Sequence, residues 1–284
     1  MSYVNLREML ATATQRKYAI GAFNIIDPMT TEAVIKAAEK RRSPVIIQTS
    51  VKTVKLYGSA EMAAMVKIPA ERASVPVALH LDHCKELDVI RDCIEAGWSS
   101  VMIDASSFPF DENIRMTKEV IAMAHPRDVT VEGELGAIVG VEDDIHVKEQ
   151  DAHLADYDQA VEYVRTTGVD LFAPAIGTAH GVYKGEPKIA FDLLERIAAA
   201  AKIPIAIHGG TGLSDAVFQR VIQLGGAKVN ISTQLKHVFR DSISAYFENN
   251  PTDYEPVKIL AYMRDEVQKV VEGFLEKFGS VDQV

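Results

Sequence analysis

The stretch "PVALHLDHC", residues 76–84, sets two histidines and an aspartate at the end of an apolar run. A buried strand gains nothing from three ionisable side chains in four positions, because each must be paired once it leaves water. Alternate strand residues share a face, so His80 and Asp82 point together and His83 points away while the strand lasts. With Asp82 as the last inward residue, His83 stands where the chain leaves the sheet and can turn back over the rim. His180 in "AIGTAHGVY" and His208 in "IPIAIHGG" occupy similar junctions. Three neutral imidazoles with one coordination position open describe a catalytic zinc-type site, with Zn–N distances of ~2.0–2.1 Å. Asp82 beside a dication stays ionised and is available as a base. Asp104 and Glu134 could supply oxygen ligands to a second or displaced metal position. Glu132, on the strand face of Glu134, is placed to orient a ligand histidine. Taken singly, each of these histidines is more economically read as hydrogen-bonded near the surface, and the carboxylates have ion pairing inside the barrel as their competing reading. Their coincidence at successive strand ends is what marks a site. His80 is expected to support or pack against it, whereas His125, His146, His153 and His237 fall on helices or in a long loop.

Two further stretches have the character of phosphate cradles. "HGGTGL" (208–213) follows an apolar run and opens a helix, and "KVNISTQL" (228–235) does the same. Backbone N–H groups in glycine-rich loops and at helix N-termini hold anions without net positive charge. A Gly-Gly pair alone is weak evidence, since tight turns use glycine freely. Its coupling to His208 on one side and to Asn230, Ser232 and Thr233 on the other strengthens it. "HGVYKG" (180–185) adds Gly181 and Lys184, a lysine that either neutralises phosphate or is simply solvated.

The elements that would position these residues alternate along the chain. β-rich runs are expected at 18–24, 44–50, 76–82, 99–104, 129–134, 170–177, 203–209 and 227–232, each near-continuously apolar as in a sheet covered on both faces. Between them lie segments such as "TTEAVIKAAEKRR" and "FDLLERIAAAAK", with apolar residues three and four apart. Eight β-then-α units predict an α/β fold, a (β/α)8 TIM barrel, as a single domain over 1–284; a doubly wound open sheet is the competing arrangement. Residues 136–158 are too long and polar for an ordinary connection and are expected to form an active-site loop. "PVKILAYMRDEVQKVVEGFLEKFGS" reads as one long amphipathic C-terminal helix, packing on its own barrel or pairing subunits. Polar residues stand at nearly every strand end (Asn24, Ser50, Asp82, Asp104, Glu134, His208, Asn230), which is where barrel enzymes carry their chemistry.

Bulk composition narrows the function classes. The 284 residues are 48% hydrophobic and carry 30 Lys and Arg against 40 Asp and Glu, a net charge of −10. That balance argues against nucleic acid as a partner. No run of about 18 apolar residues could span a bilayer, and "MSYVNLREML" lacks the pattern of a signal peptide. With two cysteines, Cys84 and Cys93, expected to be reduced thiols, the chain reads as soluble and cytoplasmic.

The motifs "VALHLDHC", "SSVMIDAS", "VEGELG", "AIGTAHGVYKGEP", "HGGTGL" and "KVNIST" succeed one another as in the class II, metal-dependent ketose-bisphosphate aldolases, and the resemblance covers nearly the whole chain. It implies a zinc-dependent barrel lyase of carbohydrate metabolism, glycolysis included, that cleaves a fructose or tagatose 1,6-bisphosphate to dihydroxyacetone phosphate and glyceraldehyde 3-phosphate. It further implies a homodimer or homotetramer. Carried over by motif, His83, His180 and His208 correspond to the zinc ligands. Asp82 corresponds to the acid/base at the C4 hydroxyl. Gly181, Lys184, Gly209, Gly210, Thr211, Asn230, Ser232 and Thr233 correspond to the phosphate site, with a monovalent cation (Na+ or K+) nearby. Asn24 and Ser50 correspond to further substrate contacts, and Glu142 to the loop residue that exchanges the C3 proton.

The chain departs from the family pattern at Thr211, where many relatives have serine, at Lys52 and Thr53 after Ser50, and in the loop "VGVEDDIHV". The last two allow a different ketose 1-phosphate, of uronate or deoxy-sugar type. Three other readings compete. A class I aldolase would need a Schiff-base lysine, for which Lys228 is the candidate. A metal-dependent hydrolase barrel commonly has two histidines on its first strand, and "YAIGAFN" has none. A sugar-phosphate-binding barrel with a structural metal would bind zinc without turnover.

Overall fold

The computed structural model describes residues 2–142, 145–147, 153–181, 183 and 185–284. Among the described residues eleven strands are formed in chain order: β1 Ile20–Asn24, β2 Val45–Ser50, β3 Val77–Cys84, β4 Ser100–Ile103, β5 Thr130–Leu135, β6 Val139–Glu142, β7 Ile145–Val147, β8 Leu171–Pro174, β9 Ala179–His180, β10 Ile205–Ile207 and β11 Gly226–Ile231. Eight of them close into a parallel barrel in the order β1-β11-β10-β8-β5-β4-β3-β2. Each of the eight coincides with an expected run, and the closed barrel excludes the open doubly wound sheet.

Strand parity explains why apolar runs can carry a polar site. Outward positions such as Phe23, Ile47, Leu79, Leu81, Val101, Val131, Phe172, Ile207 and Val229 are buried in one large core beneath the surrounding helices. Inward positions change character along the barrel axis. At the N-terminal end, Ile20, Ala22, Ile46, Ala78, Leu171, Ala173 and Ala206 pack with Leu6, Met9 and Leu10 of the helix Leu6–Arg16. Toward the C-terminal end the inward residues become Gln48, His80, Glu132 and Lys228, and then Asn24, Asp82, Glu134 and Asn230, all buried. The barrel is an apolar plug below and a polar chamber above.

Three features differ from the sequence expectation. β3 runs two residues beyond Asp82, and His83 adopts φ 45° at a register shift against β4 between Leu81 and Cys84. A bulge of this kind bends the strand and re-aims one side chain, which is how His83 joins the inward set despite its odd parity. The sixth and seventh barrel strands are shorter than their apolar runs, because Gly177 and Gly209 turn the chain with positive φ. The loop after β5 holds an antiparallel β6–β7 hairpin whose first strand, β6, also pairs with β9, Gly140 facing His180.

The C-terminal helix Pro256–Lys277 buries Met263, Val267, Val271 and Leu275 against its own barrel. Its packing partners include the helices Pro28–Arg41 and Thr233–Asn249. No helix among the described residues is long and apolar enough to cross a membrane.

Candidate active site

Three imidazoles meet at the C-terminal mouth of the barrel. Ligand atoms of His83, His180 and His208 all lie within 4.8 Å of one another, and the three residues are buried. The His83 ring is edge-on to both others, with centroids 4.9 Å from His180 and 4.5 Å from His208. Carboxylates take the outer nitrogens. Glu132 Oε1 lies 2.7 Å from His208 Nε2, and Asp104 Oδ2 lies 3.1 Å from His83 Nδ1. A carboxylate only accepts, so each outer nitrogen carries the proton and the inner nitrogen keeps a lone pair. Those inner nitrogens, His83 Nε2 and His208 Nδ1, face each other at 2.8 Å. At that separation a proton on His83 Nε2 is shared with His208 Nδ1, and with that proton gone both nitrogens are available as donors to a divalent ion.

The charges around the trio point the same way. Burial disfavours a charged ring at all three positions. At His83 the field of Asp82, with the hydrogen bond from Asp104 and the charge of Glu134, outweighs burial and raises the pKa well above the ordinary value. At His180 and His208, burial and then repulsion from His83 push the pKa well below it. Asp104 is held well below the usual carboxylate range: burial works to raise it, and the contacts with His83, then the Ser106 hydroxyl at 2.6 Å, overrule burial. Burial and the neighbouring Asp104 raise Glu134. The carboxylates around the trio thus favour positive charge at its centre. His83, Asp104 and Glu134 form a second group whose ligand atoms lie within 4.8 Å of one another, so oxygen donors stand beside the imidazoles as expected.

Asp82 is 1% exposed and sits in a cradle of amides. Oδ2 accepts from Asn24 Nδ2 at 3.0 Å and from Gln48 Nε2 at 3.2 Å, and Oδ1 accepts from Asn230 Nδ2 at 3.2 Å. Gln48 also donates to Asn24 Oδ1 at 2.8 Å. Ser50 ends β2 in the register of Asp82, and its hydroxyl lies 3.4 Å from that of Thr53.

The glycine-rich loops adjoin the trio. Gly209 has φ 68°, and a Cβ there would collide with the carbonyl oxygen of Ala179, so only glycine fits. Gly210 donates to the Asn230 carbonyl at 3.2 Å, Thr211 Oγ1 accepts from Gln234 N–H at 3.3 Å, and Gly181 turns with φ 85°. Ser232 and Thr233 open the helix Thr233–Asn249. The buried Ser232 hydroxyl finds no hydrogen-bond partner among the described residues. It is a donor at a helix N-terminus, suited to an anion. Lys184 lies outside the described residues, and Glu142 is described only as the last residue of β6.

Two residues, Gln48 and Tyr183, escaped the sequence reading, and two that it weighed, His80 and Lys228, find their places in the structure. Gln48 was overlooked, although its place two residues before Ser50 puts it on the same inward face. Tyr183 accepts from Ala179 N–H at 3.0 Å and donates to the Gly209 carbonyl at 2.8 Å, joining the loops of His180 and His208; nothing in the sequence signals that. His80 contacts Ser100 Oγ at 2.8 Å and approaches Glu132 at 3.3 Å, one layer below the trio. Lys228 is fully buried in mid-strand and ion-paired to Glu132 at 2.9 Å. Its ammonium is engaged in the barrel interior, which disfavours the Schiff-base role considered for it.

Comparison with known proteins agrees with this geometry. The family model "Fructose-bisphosphate aldolase class-II" matches residues 4–283. A "Fructose-bisphosphate aldolase" of Geobacillus stearothermophilus is 42% identical over 283 residues, covering 99% of this chain and 98% of that protein. A "Probable fructose-bisphosphate aldolase" of Bacillus subtilis (strain 168) is 39% identical, with each chain covered in full. Among solved structures, the YdjI aldolase of Escherichia coli K12 superposes with a TM-score of 0.88 at 35% identity, over 99% of both chains. The chain therefore belongs to the class II fructose-bisphosphate aldolase family, metal-dependent lyases that act on sugar phosphates.

Proposed function

We propose that this aldolase reversibly cleaves a ketose 1,6-bisphosphate of the fructose or tagatose type, using one zinc ion per subunit held by His83, His180 and His208. The products are dihydroxyacetone phosphate and glyceraldehyde 3-phosphate. The observation that carries this reading is the convergence of three imidazole nitrogens, within 4.8 Å of one another, close to a carboxylate held by three side-chain amides. A divalent ion at the trio supplies Lewis acidity for the negative charge that grows on the C2 oxygen, worth several kcal/mol.

The chain's own residues do the rest. Asp82 takes the proton of the C4 hydroxyl, the C4–O bond becomes the aldehyde carbonyl, and the C3–C4 bond breaks. The electron pair of that bond stays with the three-carbon fragment, and a proton returned to C3 by Glu142 completes dihydroxyacetone phosphate. The amides of Asn24, Gln48 and Asn230 orient the Asp82 carboxylate. Gly181, Lys184, Gly209, Gly210, Thr211, Asn230, Ser232 and Thr233 hold the phosphate, with Na+ or K+ alongside, and Asn24 and Ser50 contact the substrate. Phosphate binding remote from the breaking bond keeps the reacting carbons in register. Glu132 fixes His208, while Asp104 and Glu134 offer oxygen ligands to a displaced ion. Residues 1–284 act as one domain in a homo-oligomer.

The test is a retro-aldol assay on fructose 1,6-bisphosphate, tagatose 1,6-bisphosphate and a panel of ketose 1-phosphates, with and without EDTA. Dihydroxyacetone phosphate should appear from at least one bisphosphate, vanish with EDTA and return with Zn2+. His180→Ala should lose both bound zinc and turnover. Release from none of the panel, or full activity in EDTA, would rule the proposal out.

A further inference from the structure

Lys228 is the one lysine among the described residues that is fully buried. An ammonium donates and cannot accept, so its partners have their orientations dictated. Lys228 Nζ lies 2.9 Å from Glu132 Oε2 and donates to Asn230 Oδ1 at 2.7 Å. The first contact leaves Glu132 Oε1 for His208 Nε2–H at 2.7 Å, so that His208 presents Nδ1 to the trio. The second settles which way the Asn230 amide faces. Its oxygen must meet the ammonium, so its NH2 group must turn to Asp82, where Nδ2 donates to Oδ1 at 3.2 Å. With an acceptor at the Lys228 position, the amide could flip and aim its oxygen at the carboxylate.

We propose that Lys228 is a positioning residue that aligns both halves of the site from below. Through Glu132 it sets the ring of His208, and through Asn230 it sets the carboxylate of Asp82. It touches no substrate. The inference rests on the proposed roles of His208 and Asp82, and it explains a lysine in the barrel interior where an apolar residue would pack at lower desolvation cost.

The experiment is a double-mutant cycle on the full chain, using Lys228→Met, Glu132→Gln and the pair. Folding is checked by circular dichroism and thermal melting. Co2+ affinity is measured by chelator competition, with the visible spectrum of the bound ion recorded, and kcat and KM come from the retro-aldol assay. Lys228→Met should weaken Co2+ binding roughly 10–100-fold, as loss of an outer-shell partner does, and should alter the cobalt spectrum. It should lower kcat at least about tenfold with KM nearly unchanged, because the misaligned groups act on the reacting atoms. In the Glu132→Gln background the further loss of affinity should shrink to about twofold or less, since the route to His208 is already broken. Unchanged affinity and kcat in folded Lys228→Met would overturn the proposal, as would a loss of equal size in both backgrounds. If Lys228→Met does not fold, Lys228→Gln is read against the same thresholds. Metal affinity is measured without substrate, so a wild-type protein inert toward every ketose phosphate would sink the proposed reaction and leave the His208 arm readable.

Discussion

At the scale of single residues, the site separates into a cation-binding trio and a base with its supports. Asp82 is joined to strand neighbours through amides and is absent from the two candidate ligand groups. Asp82→Ala should therefore retain its metal, by elemental analysis, while kcat falls by roughly 10²–10⁴-fold, the usual contribution of a positioned acid/base. Loss of bound metal in that variant would place Asp82 among the ligands instead. The reach of sequence reading also differs by residue. His83, His180 and His208 are legible because three histidines at strand ends are rare, and the structure does bring their rings together. Gln48 is harder to see, since a glutamine in "VIIQTS" looks like a tolerated exception until strand parity turns it toward Asp82.

At the scale of elements, two loops have to be held against each other. The His180 loop and the Gly209 loop are stapled by the hydroxyl of Tyr183, which accepts from one and donates to the other. Each bond is worth about 1 kcal/mol. Tyr183→Phe keeps the ring and loses both, so KM for the phosphate-bearing substrate should rise about tenfold with kcat less affected. An unchanged KM would show that the loops hold position without the staple. The β6–β7 hairpin is tied to the same region, because Gly140 pairs with His180 and a Cβ there would collide with the His180 carbonyl oxygen. A long polar loop was evident from 136–158, but its hairpin was not, since pairing with β9 depends on a strand of two residues.

At the scale of the whole molecule, stability rests on the closure of the barrel and on the C-terminal helix laid over its first units. Glu272 is the polar pin of that helix. It is 5% exposed, and it accepts from Lys40 at 2.9 Å, Arg41 at 3.1 Å and Gln268 at 3.0 Å. Burial works to raise its pKa, but the bond from Lys40 and then that from Gln268 lower it overall. A depressed folded-state value means that the pin stabilises fully above the unfolded pKa and is lost as pH falls through the folded one. Glu272→Ala should cost about 1 kcal/mol, discounted because Lys40 and Arg41 remain in contact with water. The expected drop in Tm at neutral pH is about 2–4 °C, narrowing on acidification. A Tm difference that persists unchanged at acidic pH would show that packing alone is responsible.

The alternation of apolar runs and amphipathic helices by itself determined a parallel α/β sheet covered on both faces, and its closure into a barrel was decided by the tertiary structure. The strand-end positions of Asp82, Asp104, His208 and Asn230 followed from the same pattern, since a strand's last residues open onto one common face. Only the tertiary structure decided how the side chains meet. A bulge with φ 45° swings His83 inward, and Lys228 on β11, three strands from β5 around the barrel, reaches Glu132 across the interior. Such contacts depend on barrel closure and side-chain direction across distant strands, and neither has a local signature in the order of residues.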